Sequence, residues 1–424
     1  MNSRNDVTSL FPTAPGVRIY QLTQDGVSHS GIYPETPVWL EDRRHFLITG
    51  ENGYEISSLD GEPPVSILPR VLPDGARPTS ACISRDGRWF YHLRVYGEGL
   101  TVTSSLWRVD TRTLTSEKIC DTPDRIDGFH PSHFYGIGTI SSDGERFATS
   151  AFLGDGTQEN APAGLLVYDI PRRTCILIAA DSEWHNSHLQ YCQSTDPDAS
   201  HDLLLQMNHG MLTSPDGRCT RHLEPPPSGL GADIHVIRDD GTHWRDLPWG
   251  RDGLESCIGH QAWRTDSTSC ITITLQNMDP SYGLEPHTRQ HVIEAYPIPT
   301  NREEPHIGAK IPGAKRRILD EGFENPRFCH FFCSADGSHF AFDTFICEGE
   351  GTPKGETGIG QRVYIALDDG ERLHFQYICN TRGKFLGEGS NHAHPILTPD
   401  NSGVLFNSTV SGKSQIYLAE GFSW

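Results

Sequence analysis

Along most of the chain, apolar or alternating runs of roughly four to eight residues are separated by polar clusters rich in Gly, Pro, Asp and Ser, which is the pattern of strands and turns rather than of helices. One arrangement recurs: a β-prone run, an Asp-containing turn, and a second β-prone run. It appears in VWLEDRRHFLITG around Asp42, CISRDGRWFYHLRV around Asp86, TISSDGERFATSAF around Asp143, YCQSTDPDASHDLLLQM around Asp196, AWRTDSTSCITITL around Asp266, FFCSADGSHFAFDTF around Asp336 and ILTPDNSGVLFNS around Asp400. Asp-Gly and Pro-Asp between apolar runs are strong hairpin signals, and Asp in such turns normally caps its own backbone. Most repeats continue into a third strand, as in SLWRVDTRTLTSEKI, GLLVYDIPRRTCILIA and RVYIALDDGERLHFQYI. Seven hairpins at intervals of roughly 45 to 70 residues fit four short strands per propeller blade plus loops. The pattern therefore predicts an all-β fold, a seven-bladed β-propeller forming one domain over residues 1–424, with a two-sheet sandwich array as the alternative. The last repeat stops early, at QIYLAEGFSW, and VRIYQLTQDGVSHSGIY reads as a strand without its own hairpin. That N-terminal strand is expected to complete the last blade and close the ring, which removes exposed sheet edges.

Composition narrows the setting. Hydrophobic residues make up 36% of the chain, and 42 Gly and 29 Pro are dispersed along it, as in a folded, turn-rich protein. The N-terminal MNSRNDVTSLFPTAP lacks a charged and then apolar leader, and no apolar run approaches the ~20 residues of a membrane span, so a soluble, cytoplasmic protein is expected. The 11 cysteines form no CxxC pair, and reduced buried thiols are expected. A net charge of −20 without clustered Lys and Arg argues against nucleic-acid and anionic-membrane partners. An anionic ligand would need a local positive site, which a bound metal supplies.

The histidines show a register. His260, His330 and His394 each lie six residues before a turn aspartate, Asp266, Asp336 and Asp400, while His392 and His188 lie eight before Asp400 and Asp196. Side chains alternate along a strand, so even offsets from a shared turn place these residues on the same relative face of successive blades. Five imidazoles from four blades are thereby expected near one mouth of the axis. Three neutral imidazoles suit Mn²⁺, Fe²⁺ or Zn²⁺ alike, and added carboxylates would favour Mn²⁺ or Ca²⁺. A lone histidine is more often structural, but three at one offset together with an HxH pair argue for a cluster.

The same residues carry a resemblance. WHNSHLQYCQSTDPDASHDLLLQMNHG, IGHQAW, RFCHFFCSADG and NHAHPILTPDNSGVLFNS resemble, in order, motifs of the oligogalacturonate lyases, polysaccharide lyase family 22. The resemblance runs from about residue 180 to the C-terminus. It implies a seven-bladed propeller that binds Mn²⁺ and breaks 4-linked galacturonides, as in pectin, by β-elimination. Carried over, it makes His330, His392 and His394 metal ligands and His260 a catalytic residue. Two positions depart from the family pattern: its ligand glutamine falls on Gly389, with Glu388 or Asn391 as substitutes, and its arginine falls near Asp233. His188 and His209 are further candidates for catalysis, and Arg327 and Arg382 for holding a substrate carboxylate. The expected partner is an anionic oligosaccharide. A rhamnose-glucuronate lyase remains open within the class, and a non-catalytic interaction propeller outside it. The glycine-rich EGEGTPKGETGIG lacks a phosphate-loop GK[ST] element and reads as a rim loop.

Overall fold

A computed structural model describes residues 4–24, 26–209, 211–217, 219–221, 231–248, 255–265, 268–276, 290–299, 315–320, 322, 328–344, 360–383 and 391–424. The Asp266 turn, Arg327, Glu388, Gly389 and the glycine-rich stretch up to residue 359 lie outside the described residues. Among the described residues no helix is long and apolar enough to cross a membrane. The chain forms two compact units, one of residues 1–70 with 319–424 and one of residues 71–318. Both consist of small antiparallel sheets with the strand, Asp turn, strand order expected from the sequence, an all-β and propeller-like organisation.

The described residues of the first unit form three sheets. One runs His29–Gly31, His45–Gly50, Gly53–Ser58, Val65–Pro69, and another Phe328–Cys333, His339–Thr344, Arg362–Asp368, Leu373–Asn380. The third runs Ile396–Leu397, Gly403–Ser408, Gln415–Glu420 and then takes in Arg18–Gln21 and Asn5–Asp6 from the other end of the sequence. Arg18 lies opposite Glu420 and Gln21 opposite Tyr417, so the N-terminal strand does pair beside the last one. Ile19, Ala341, Val363, Ile365, Phe406 and Tyr417 form this unit's core.

The second unit begins with Arg77–Ile83, Trp89–Tyr96, Thr103–Asp110 and Ser116–Asp121, followed by a sheet centred on Arg146–Phe152 and Ala163–Asp169. Nine of its remaining described strands form one hydrogen-bonded sheet that narrows to a single residue pair, Ala232 with Cys257. On one side of that pair lie Asp202–His209 and Gly231–Arg238, and on the other Glu255–Trp263, Cys270–Gln276 and Gln290–Tyr296. Middle strands such as Ala163–Asp169 are buried along their whole length, whereas the outer Thr174–Asp181 is mostly not. Strands covered on both faces read as near-continuous apolar runs, which is why clean alternation is rare in this sequence.

The turns are held by local chemistry. A hydroxyl two residues before the aspartate donates to its carboxylate: Ser84 to Asp86, Ser141 to Asp143, Ser334 to Asp336 and Thr398 to Asp400, at 2.5–2.7 Å. The same carboxylate oxygen accepts the backbone N–H two residues on, from Arg88, Glu145, Ser338 and Ser402. Burial acts to raise the Asp336 carboxyl, but hydrogen bonds from Ser334, the Ser338 backbone and His339 outweigh it and hold it well below the usual carboxylate range. A further serine–aspartate contact of this kind, Ser214 to Asp216, closes a small hairpin of Met211–Thr213 and Cys219–Arg221 between two longer strands. The seven-repeat reading of the sequence does not contain it, although SPDG is written there.

Candidate functional site

The register argument meets two local structures that strict alternation does not foresee. In the Phe328–Cys333 strand the ladder slips: Phe328 faces Thr344 and Phe331 faces Phe342, so Cys329 and His330 together stand opposite Asp343. Such a bulge re-aims side chains and is favoured beside functional sites. Ser80 and Ala81 bulge opposite His92 in the same way, and a wider irregularity, Ile258 to His260, lies opposite Ile273. The HxH pair, by contrast, lies outside any strand, just before Ile396–Leu397, with His394 in the left-handed region at φ 44°. His188 is placed likewise before Gln190–Tyr191, also at φ 44°. The even offsets therefore mark a shared distance from the turn, achieved through bulges and left-handed residues and not along one flat strand face.

In the first unit His330, His392 and His394 come together, with one nitrogen from each lying within 4.8 Å of the others. His330 is 2% exposed, and the other two imidazoles are half-buried. Irregular backbone needs side-chain partners when it cannot pair in a sheet. Three buried residues supply them here: Ala393 N–H donates to Gln361 Oε1 (2.8 Å), His394 N–H to Asp343 Oδ2 (3.0 Å), and Asn407 Nδ2 donates to the His392 carbonyl (3.0 Å). Asp343 also accepts from the His330 backbone N–H (2.8 Å), and both its oxygens lie 3.0–3.1 Å from His330 Nδ1. Nδ1–H therefore donates to the carboxylate, and Nε2, which lies 3.9 Å from Cys329 Sγ, carries the lone pair that can accept from that thiol or hold an ion. Tyr33 presents its ring edge-on, 5.0 Å from His394 and 5.7 Å from His330 between centroids. Burial, with Asp343 adding to it, pushes the Cys329 thiol well above its usual range, so it stays protonated beside the imidazole. A divalent ion of borderline softness fits this set of three imidazoles and a tautomer-fixing carboxylate.

In the second unit His188 and His260 meet edge-to-face at 5.8 Å, and Tyr135 lies 5.9 Å from His188. The His188 side chain is 6% exposed, while His260 is half-buried and its carbonyl accepts Thr272 Oγ1 at 2.6 Å. Gly259, at φ +88°, makes the turn into His260 possible, and a Cβ there would lie 3.0 Å from Gln206 Nε2.

The remaining expected residues are less well placed. His209 ends the Asp202–His209 strand, but its side chain lies outside the described residues, as does Arg327. Arg382 is exposed, with its backbone N–H on Asn380 Oδ1. Asn391 donates its amide to Ser414 Oγ (2.7 Å), and Asp233 is a buried strand residue, 2% exposed. Sequence reasoning missed Asp343, Gln361, Asn407 and Tyr33. The available signal was a polar residue inside an apolar run, as in FAFDTF and VLFNS.

No protein-family model matches the chain. Over 204 residues it is 27% identical to an oligogalacturonide lyase of Pectobacterium atrosepticum, covering 46% of this chain and 45% of that protein. The chain thus aligns with less than half the length of this curated relative. Among solved structures, an oligogalacturonate lyase from Vibrio parahaemolyticus matches with a TM-score of 0.66 at 18% identity, over 98% of this chain and 96% of that one. A structure of oligogalacturonate lyase in complex with manganese also gives 0.66 at 18% identity, over 100% and 99%. The tricorn protease gives 0.51 at 10% identity over 93% of this chain and 34% of its own. The chain is therefore similar in sequence to an oligogalacturonide lyase over somewhat less than half its length, and it shares the fold of oligogalacturonate lyase structures over nearly all of it.

Proposed function

We propose that this protein is a metal-dependent lyase that cleaves uronic-acid-containing oligosaccharides of the oligogalacturonide type by β-elimination, leaving an unsaturated uronate. The observation that carries this reading is the trio His330, His392 and His394, gathered at the motifs that resemble the lyases. The manganese named for a structure of the same fold makes Mn²⁺ the first choice of ion. Within this reading the sheets are the blades of a single-domain, seven-bladed propeller, with Arg18–Gln21 completing the last one. Its pairing to Gln415–Glu420 supports that assignment. The scattered cysteines, with no CxxC pair in the sequence, fit a reducing, cytoplasmic compartment.

The reaction removes the weakly acidic proton at C5 of the uronate and expels the oxygen on C4. A bound divalent ion supplies Lewis-acid stabilisation for charge developing on the carboxylate, worth several kcal/mol. The chain's own residues supply the proton transfer: His260 takes the C5 proton, and His188, edge-on to it, fixes the ring's orientation. His209 is a further candidate for acid catalysis, and Arg327 and Arg382 for binding substrate carboxylates.

The test is to incubate the purified protein with a panel of oligogalacturonides and glucuronate-containing oligosaccharides while following the ultraviolet absorbance of the unsaturated product. Activity is expected on the galacturonides. His260→Ala should keep the ion and the fold and lose about 10²–10⁴-fold in rate, the usual contribution of a general base. His392→Ala should lose the ion. No product from any uronate would overturn the lyase reading, and near-normal turnover of His260→Ala would remove its role.

A further inference from the structure

Three sheets share a distortion at one distance from their turns, and what faces it differs. His92 stands opposite the Ser80 bulge, Ile273 opposite His260, and Asp343 opposite His330. The fold accepts a buried hydrocarbon at this place, since Ile273 is 0% exposed. Nothing in the bulge itself therefore requires a carboxylate. Asp343 is also 0% exposed, and a buried carboxylate is costly unless donors or cations compensate it. Its donors are the His330 backbone N–H, His330 Nδ1 and the His394 backbone N–H, so everything it holds belongs to two of the three clustered histidines.

We propose that Asp343 is the positioning residue of the histidine cluster: its carboxylate holds His330 in the Nδ1–H form with Nε2 toward the ion, and it fixes the left-handed backbone of His394. The proposal rests on the reading of the cluster as a metal site. One buried group then sets two ligands that are 64 positions apart in the chain, one on a bulged strand and one on a strandless segment. An imidazole ligand anchored through its second nitrogen is oriented and made more basic, and losing such an anchor typically weakens metal binding 10- to 100-fold. Asp343 touches no substrate in this role. It acts through the histidines.

The experiment titrates Mn²⁺ alone into metal-free protein, following the paramagnetic resonance of the free aquo ion, for wild type, Asp343→Asn, Asp343→Ala and His392→Ala. Asparagine keeps one oxygen to accept from Nδ1, so Asp343→Asn should weaken binding about tenfold and Asp343→Ala towards 100-fold or beyond. In the metal-free protein, long-range proton–nitrogen spectra of the imidazoles should show His330 as the Nδ1–H tautomer, a signature that Asp343→Ala loses. Circular dichroism and melting establish that the variants fold, and should Asp343→Ala not fold, the isosteric Asn variant carries the test. Wild-type affinity in Asp343→Asn, with binding lost in His392→Ala, overturns the role of Asp343. Wild-type affinity in His392→Ala as well would overturn the metal site itself.

Discussion

Asp343 and His92 occupy matching places, each opposite a two-residue bulge, and their chemistry is opposite. His92 is 0% exposed, accepts from Arg94 Nε at 3.4 Å, and stacks on Phe90 at 5.5 Å. The Arg94 guanidinium lies 3.5 Å over the Trp107 ring, so a cation already sits beside the imidazole. Burial, followed by the charge of Arg94, pushes the His92 pKa down to about 3. The folded protein therefore keeps His92 neutral while an unfolded chain protonates it near pH 6.5. Below that pH the unfolded state binds the extra proton, so stability falls as pH drops from about 6.5 towards 3, by on the order of 1 kcal/mol per unit. His92→Gln, which keeps an acceptor for Arg94, should flatten this part of the stability curve. Urea midpoints of both proteins at about pH 7 and pH 5 check it, and equal acid sensitivity would remove His92 as a cause.

At the scale of the elements, ladder irregularities aim His330 and His260, and left-handed residues place His188 and His394. Gly259 supplies the left-handed turn before His260, and alanine there carries both the φ penalty of roughly 1–2 kcal/mol and a 3.0 Å approach to Gln206. Gly259→Ala should lower the melting temperature modestly and, if His260 is the base proposed above, turnover by up to about 10²-fold, because a displacement of about 1 Å in a reacting group is that costly. Full activity would show that the turn does not aim His260. The same elements explain what was legible in the sequence. The Asp turns were visible because serine or threonine, aspartate and the next backbone N–H close on one another within a few residues. The pairing of Arg18–Gln21 with the last strand followed from an unfinished final repeat. The shared distance of His260, His330 and His394 from their turns was readable, but the bulges were not, since two residues facing one leave no mark in a single strand. Asp343 was invisible as a site residue for a related reason: its partners come from segments far apart in the chain, and within FAFDTF it is one polar letter.

For the whole molecule, charge is the dominant global quantity. On the proposed reading, a chain of net charge −20 acting on a polyanionic sugar would work against its own long-range field, and only local groups would draw the ligand in. Raising ionic strength from about 10 mM to 150 mM shortens the screening length from about 30 Å to 8 Å, so kcat/KM on oligogalacturonides should rise over this range while kcat stays level. A fall in kcat/KM would mean that local positive charge outweighs the global field. The pairing of the first long strand with the last carries a different consequence, one of timing. Arg18–Gln21 is synthesised well before its partner Gln415–Glu420, from which the whole second unit separates it. The unit they share is interrupted by the whole of residues 71–318, which can gather its own sheets while the N-terminal strand is still waiting. Contacts of such sequence separation form late and slowly. The Arg18–Gln21 strand must therefore wait unpaired, with the apolar Ile19 side chain and an open strand edge exposed until Gln415–Glu420 follows, and in that interval the protein is most open to mispairing and most dependent on protection.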